Sequence, residues 1–159
     1  MAETELPGLA LAPGEDAVAA WARLPAGTRA AYVRFPRGDD LPLAALQRLA
    51  RRGTVLADAG PRDAADAVDL AVAGATGVVA WLADGSDVAG IAEALGDGLL
   101  LGCTRLDLDE AARTARTLGV PLLVRGAEPP AGLHGYTLDT APPVFALRRF
   151  GAWPDEAAA

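Results

Sequence analysis

Along this chain, short runs of apolar residues alternate with stretches whose apolar positions recur at helical spacing. Strands buried on both faces read as unbroken apolar runs, because neither face can carry charge. Six such runs stand at Leu9–Ala12, Ala30–Phe35, Thr54–Asp58, Gly77–Leu82, Leu99–Cys103 and Pro121–Arg125. Their spacing is about 22 residues, the length of a strand plus a helix. Between them the pattern predicts helices over 15–24, 41–52, 63–74, 87–96 and 108–118. Helix-start signals support this: Asp39 and Asp40 precede Pro42, Ser86 is placed to cap the fourth helix, and Asp107, Asp109 and Glu110 load the fifth N-terminus with acid. Gly53, Gly96 and Gly119 stand where C-terminal caps belong.

Repeated βα units imply parallel strands joined by right-handed crossovers. A complete (β/α)8 barrel usually takes about 200 to 250 residues, and the chain has 159. The expected fold is therefore α/β, with a parallel sheet in a shortened or incomplete TIM-barrel-like form, or alternatively an open doubly wound sheet. Past Arg125 the pattern weakens. Glu128-Pro129-Pro130 and Ala141-Pro142-Pro143 flank one further strand at Tyr136–Leu138, and Val144-Phe145-Ala146-Leu147 is placed either to close the last sheet edge or to meet another subunit. Residues 1–150 read as one domain and 151–159 as a frayed tail. An incomplete barrel leaves strand edges that need cover, so a homodimer, through that edge or through outer helix faces, or a place in a larger complex is expected.

Composition narrows the partners. Twenty-one acidic against 14 basic residues leave a charge of −7, and the basic residues are scattered arginines, which argues against nucleic acid and anionic membranes. Lysine and asparagine are absent and Ile91 is the sole isoleucine, a bias that reflects coding rather than chemistry. The longest apolar run, Leu70 to Ala83, contains Gly74, Thr76 and Gly77 and is too short to span a bilayer. The acidic start Met1-Ala2-Glu3-Thr4-Glu5 is unlike a secretory signal, so a cytoplasmic protein is expected.

In parallel α/β folds, ligands meet the carboxyl ends of strands. Those positions hold Arg34 with Arg37, Asp58 with Arg62, Asp84 with Ser86, Cys103 with Arg105, and Arg125. Guanidinium groups bind phosphate and carboxylate bidentately, and helix N-termini add N–H donors, so Arg34, Gly60, Arg62, Gly85, Ser86, Arg105 and Arg125 are the candidate contacts of a small anionic metabolite. The competing reading pairs each arginine with a neighbouring carboxylate such as Asp39, Asp63 or Asp107. Asp58, before Ala59-Gly60, is the candidate catalytic acid or base if it projects into the mouth with a raised pKa; otherwise it caps helix 63–74 or pairs with Arg62. Asp84-Gly85-Ser86-Asp87 reads as a phosphate-cradling turn or, since two acids oppose phosphate, as a helix cap.

Cys103 is the only thiol and His134 the only imidazole. A nucleophilic pair requires them to meet in space; a small core residue is the simpler reading of the cysteine. One His and one Cys do not close a zinc shell, and neither a calcium loop nor a nucleotide-binding glycine motif is present, so neither metal nor cofactor is expected. Trp81 lies in an apolar strand and reads as core, Trp21 is on a helix, and Trp153 is in the tail.

The segment Arg51-Arg52-Gly53-Thr54-Val55-Leu56-Ala57-Asp58-Ala59-Gly60-Pro61-Arg62-Asp63-Ala64-Ala65-Asp66-Ala67, continued by Ala73-Gly74-Ala75-Thr76-Gly77-Val78-Val79, resembles the histidine-biosynthesis ProFAR isomerase superfamily. More narrowly it is similar to that enzyme's uncharacterised relatives in archaea and one-carbon-metabolising bacteria. The likeness runs from Tyr32 to Gly126. It implies a barrel-like fold binding a phosphorylated metabolite, with anion contacts from the loops after Asp58 and Leu82. The isomerases carry catalytic aspartates at two strand ends that read here Leu11-Ala12-Pro13 and Gly102-Cys103-Thr104. What the resemblance implies is therefore a diverged relative, non-catalytic or of unassigned activity, in a homo- or hetero-oligomer. The alternative is an isomerase- or lyase-type enzyme acting on a small phosphorylated or carboxylated metabolite.

Overall fold

The computed structural model describes residues 5–139 and 144–154. In chain order the strands are β1 (Glu5–Ala10), β2 (Ala30–Arg34), β3 (Thr54–Asp58), β4 (Ala75–Trp81), β5 (Leu99–Thr104), β6 (Leu122–Arg125), β7 (Gly135–Leu138) and β8 (Val144–Phe150). Helices α1 (Ala17–Trp21), α2 (Leu43–Ala50), α3 (Ala64–Val72), α4 (Val88–Leu95) and α5 (Leu108–Leu118) fill the first five connections. The strands close in the order β1 to β8, with β1 through β7 parallel and β8 antiparallel to both β7 and β1.

This closure overturns the expected shortened or incomplete TIM-barrel-like sheet, and equally the open doubly wound alternative. The barrel is mixed and complete, and among the described residues no helix lies between β6 and β8. Five residues separate Leu138 from Val144, whereas a parallel return usually takes a crossover of about a dozen or more, and the shortest parallel one in this barrel, between Arg125 and Gly135, takes nine. The chain therefore turns back, and Val144–Phe150 pairs on both sides at once. Of the two roles open to Val144–Leu147, sheet closure is the one observed. No strand edge is left open in the sheet, so the edge on which a homodimer was expected is taken up inside the barrel.

Period-two alternation sorts the strand side chains into an inside and an outside. Tyr32, Leu56, Val79, Trp81, Leu100, Leu123, Leu138 and Leu147 form one buried cluster within the barrel. Their sequence neighbours point the other way. Val33, Val55 and Ala57 pack with Leu46, Leu49 and Leu70 of α2 and α3, and Leu101, Leu122 and Val124 pack with Ile91, Ala111 and Ala115 of α4 and α5. Large interior rings face glycines: a Cβ on Gly102 would lie 2.5 Å from the Trp81 indole, and one on Gly8 would overlap the Phe145 ring. Small barrels fill their centre by such large-and-small complementarity.

Several predicted ends move. Asp63 and Asp87 cap α3 and α4, accepting from the backbone N–H of Asp66 (3.0 Å) and Gly90 (3.1 Å), so neither Asp58 nor Ser86 is a cap. Gly96 and Gly119 end α4 and α5 with φ of 58° and 69°. Gly53 lies beyond the α2 cap, Arg51, and serves instead as a close approach, since a Cβ there would sit 2.6 Å from the Arg29 carbonyl oxygen. The predicted tail begins docked rather than frayed: Trp153 meets His134 and Tyr136 edge-on at centroid distances of 4.8 and 5.2 Å, and Arg149 stacks 4.3 Å from its ring. Residues 155–159, Ala141-Pro142-Pro143 and Met1–Thr4 lie outside the described residues.

Candidate functional site

β2 and β3 end side by side, with Arg34 paired to Asp58 in the parallel register. Both side chains follow the inward parity of Tyr32 and Leu56, so a guanidinium and a carboxylate emerge together at the carboxyl end of the barrel. Asp58 is 1% exposed and is the one buried charged residue among those described. An isolated carboxylate there would be costly to bury, and donors surround it. The Tyr32 hydroxyl donates to Oδ2, as does the Trp81 indole N–H at 2.9 Å. Arg34 Nε lies 3.7 Å from the same oxygen and Arg37 Nη2 lies 3.5 Å from Oδ1. Burial, and then the neighbouring Asp58 charge, push the Tyr32 phenol well above its ordinary range, so the phenol stays a proton donor to Asp58.

Arg37 follows β2 in a loop and reaches over the β3–α3 turn. It forms a second ion pair with Asp84 at 3.0 Å. Gly60 makes room for it: the backbone there has φ of 69°, and a Cβ would overlap the Arg37 guanidinium. Arg34, Arg37, Asp58, Trp81, Ala83, Asp84, Thr104 and Arg125 line one cavity of about 290 Å³. It is a mouth with three guanidinium groups and two carboxylates.

Of the predicted anion contacts, the fold brings Arg34 and Arg125 into this mouth, and Gly60 beneath Arg37. It does not bring Arg62, whose side chain is 78% exposed and pairs with Asp66 one helical turn on, Nε to Oδ2 at 3.0 Å. That is the local-pairing alternative, with Asp66 rather than Asp63 as the partner. Arg105 lies exposed in the turn after β5, and Thr104 takes the place at the cavity wall. Gly85 ends a single 3-10 turn with φ of 72°, and the Ser86 hydroxyl donates to the Pro61 carbonyl oxygen at 2.7 Å, tying the loop after β4 to the loop after β3. Neither of these two residues is among those lining the cavity. Tyr32, Trp81, Thr104 and Asp84 complete the site; Tyr32 and Trp81 gave no sequence signal beyond apolar strand position.

Cys103 and His134 do not meet. Cys103 points outward from β5 into the cluster with α5, and burial, followed by Asp107, pushes its thiol up to about 12. His134 precedes β7 at the opposite end, its carbonyl accepting from Leu122 N–H. Among the described residues no group of three or more His, Cys, Asp and Glu is arranged to hold a metal ion, and no helix is long and apolar enough to cross a membrane. A larger groove of about 590 Å³ runs along β8, β1 and the loop before β2, lined by Glu5 and Arg29 among proline, alanine and glycine. Thr28, Val144 and Phe145 belong to its lining as well, and none of the sequence-derived candidate site residues is among them. No protein-family model matches the chain, and none of the curated proteins matches it.

Proposed function

We propose that the barrel mouth binds a small carboxylated or phosphorylated metabolite, with Arg34, Arg37 and Arg125 holding the anion. The observation that carries this reading is the convergence of three guanidinium groups on one cavity in a chain whose overall charge is −7. Guanidinium forks match the planar geometry of carboxylate and the oxygens of phosphate. Arg34 Nη2 is buried and makes no hydrogen bond among the described residues, a donor that an anion in the mouth would satisfy. The resemblance to the ProFAR isomerase superfamily supports phosphate as one form of the anion. Binding without isomerase chemistry fits the missing aspartates: among the described residues the carboxylates lining this mouth are Asp58 and Asp84, neither of them at those two strand ends.

The test is a thermal-shift titration of wild type, Arg34→Ala and Arg125→Ala with inorganic phosphate, ribose 5-phosphate and succinate. At about 100 times its dissociation constant a ligand stabilises the native state by roughly 2.7 kcal/mol, which raises the melting temperature of a domain this size by several degrees. The expected result is a saturable rise in wild type that shrinks in both variants. A rise unchanged in the variants, or none with any anion, overturns the reading.

A further inference from the structure

We infer that the ligand of the mouth carries a hydroxyl group beside its anionic group, and that Asp58 Oδ1 is the acceptor kept for it; this rests on the anion-binding reading above. The two oxygens of Asp58 are used unequally. Oδ2 takes both the Tyr32 hydroxyl and the Trp81 indole N–H. Oδ1 is buried and accepts no hydrogen bond among the described residues. Its nearest cation, Arg37 Nη2 at 3.5 Å, is an ion-pair neighbour whose placement does not make a hydrogen bond. A buried carboxylate oxygen without a donor is a costly arrangement, and in a binding site it is the counterpart of a ligand O–H.

Arg37 supplies the access. Its side chain is 48% exposed and already held on its outer side by Asp84, so turning toward Asp84 uncovers Oδ1 without leaving the guanidinium unpaired. Arg34 Nη2, another buried atom with no hydrogen bond among the described residues, belongs to the residue directly beside Asp58 in the β2–β3 register. An unused donor and an unused acceptor on adjacent strand ends match an anionic oxygen next to a hydroxyl. The cavity, about 290 Å³, is at the lower end of small-molecule sites. It suits a short hydroxy acid or a small sugar phosphate.

Matched pairs test this: malate against succinate, and glycerol 3-phosphate against propyl phosphate, titrated calorimetrically into wild type and Asp58→Asn. In the variant, Tyr32 and Trp81 select the orientation that keeps the amide oxygen at their end, which puts NH2 where Oδ1 was and removes the acceptor. A hydrogen bond to a charged acceptor separates the members of a pair by about tenfold or more. The expected result is tighter binding of the hydroxylated member of at least one pair by wild type, and a ratio near one in Asp58→Asn. Equal binding within both pairs overturns the hydroxyl inference and leaves the anion site standing. Discrimination that survives in Asp58→Asn overturns the role of Asp58, and binding of neither pair overturns both readings. The wild-type comparison stands by itself should the substitution fail to fold.

Discussion

Asp58 shows what a single position reveals in isolation. An acid ending an apolar run in a βα unit stands out, and the fold does place it at the barrel mouth, buried and lining the cavity. Its partners carry no such mark, because Tyr32 and Trp81 read as ordinary strand residues, and they are core residues with a polar end. Replacing Tyr32 by Phe keeps the ring in the interior and removes one donor from Oδ2. The expected cost is about 1–3 kcal/mol of stability, the range for leaving a buried polar group short of a partner. Urea unfolding of wild type and Tyr32→Phe measures it. An unchanged midpoint would show that the phenol contributes nothing to holding the carboxylate.

At the scale of elements, five helices and the first six strands were legible, the strands as apolar runs and the second, fourth and fifth helices by end signals as well, although β1 lies at Glu5–Ala10 rather than Leu9–Ala12. The ends were less so. Ser86 and Asp87 both have capping side chains, and only the backbone path decides that Asp87 caps α4 while Ser86 turns to Pro61. Arg62 illustrates competition between a distant site and a near partner: Asp66, four residues on, accepts from its side chain and from its backbone N–H, both at 3.0 Å. The Arg62 side-chain hydrogen bond, with its backbone N–H, holds the Asp66 carboxyl below its ordinary value of 3.8. A depressed folded-state value means stability that is present above the unfolded value and is lost as pH falls through the folded one. Asp66→Asn is therefore expected to melt lower than wild type at neutral pH, with the gap closing below the ordinary carboxylate range. The gap is small and reduced by salt, because the arginine is exposed. Melting curves of both proteins across acid pH check it, and a gap constant down to the lowest pH would contradict the ion-pair account.

At the scale of the molecule, β8 decides the architecture. It joins β7 to β1 and contributes Leu147, fully buried, to the interior. A chain stopped after Asp139 would leave β1 and β7 as open edges, which invite pairing with other chains, and would open the interior cluster to water. Such a chain is expected to lose cooperative unfolding and to aggregate. Size-exclusion chromatography and thermal unfolding test this; a cooperative, monomeric product would show that the barrel does not depend on β8. Closure also removed the argument for assembly through a free edge.

The sequence by itself determined the βα rhythm and the strand ends that carry Arg34, Asp58 and Arg125, because these depend on local periodicity and on the next few residues. Tertiary structure alone decided that the sheet closes, that Tyr32 and Trp81 share one oxygen of Asp58, and that Arg37 enters the mouth while Arg62 and Arg105 stay outside. Those outcomes depend on which strand ends become neighbours around the barrel and on which oxygen each donor can reach. Both are distances between residues far apart in the chain, and no local pattern encodes them.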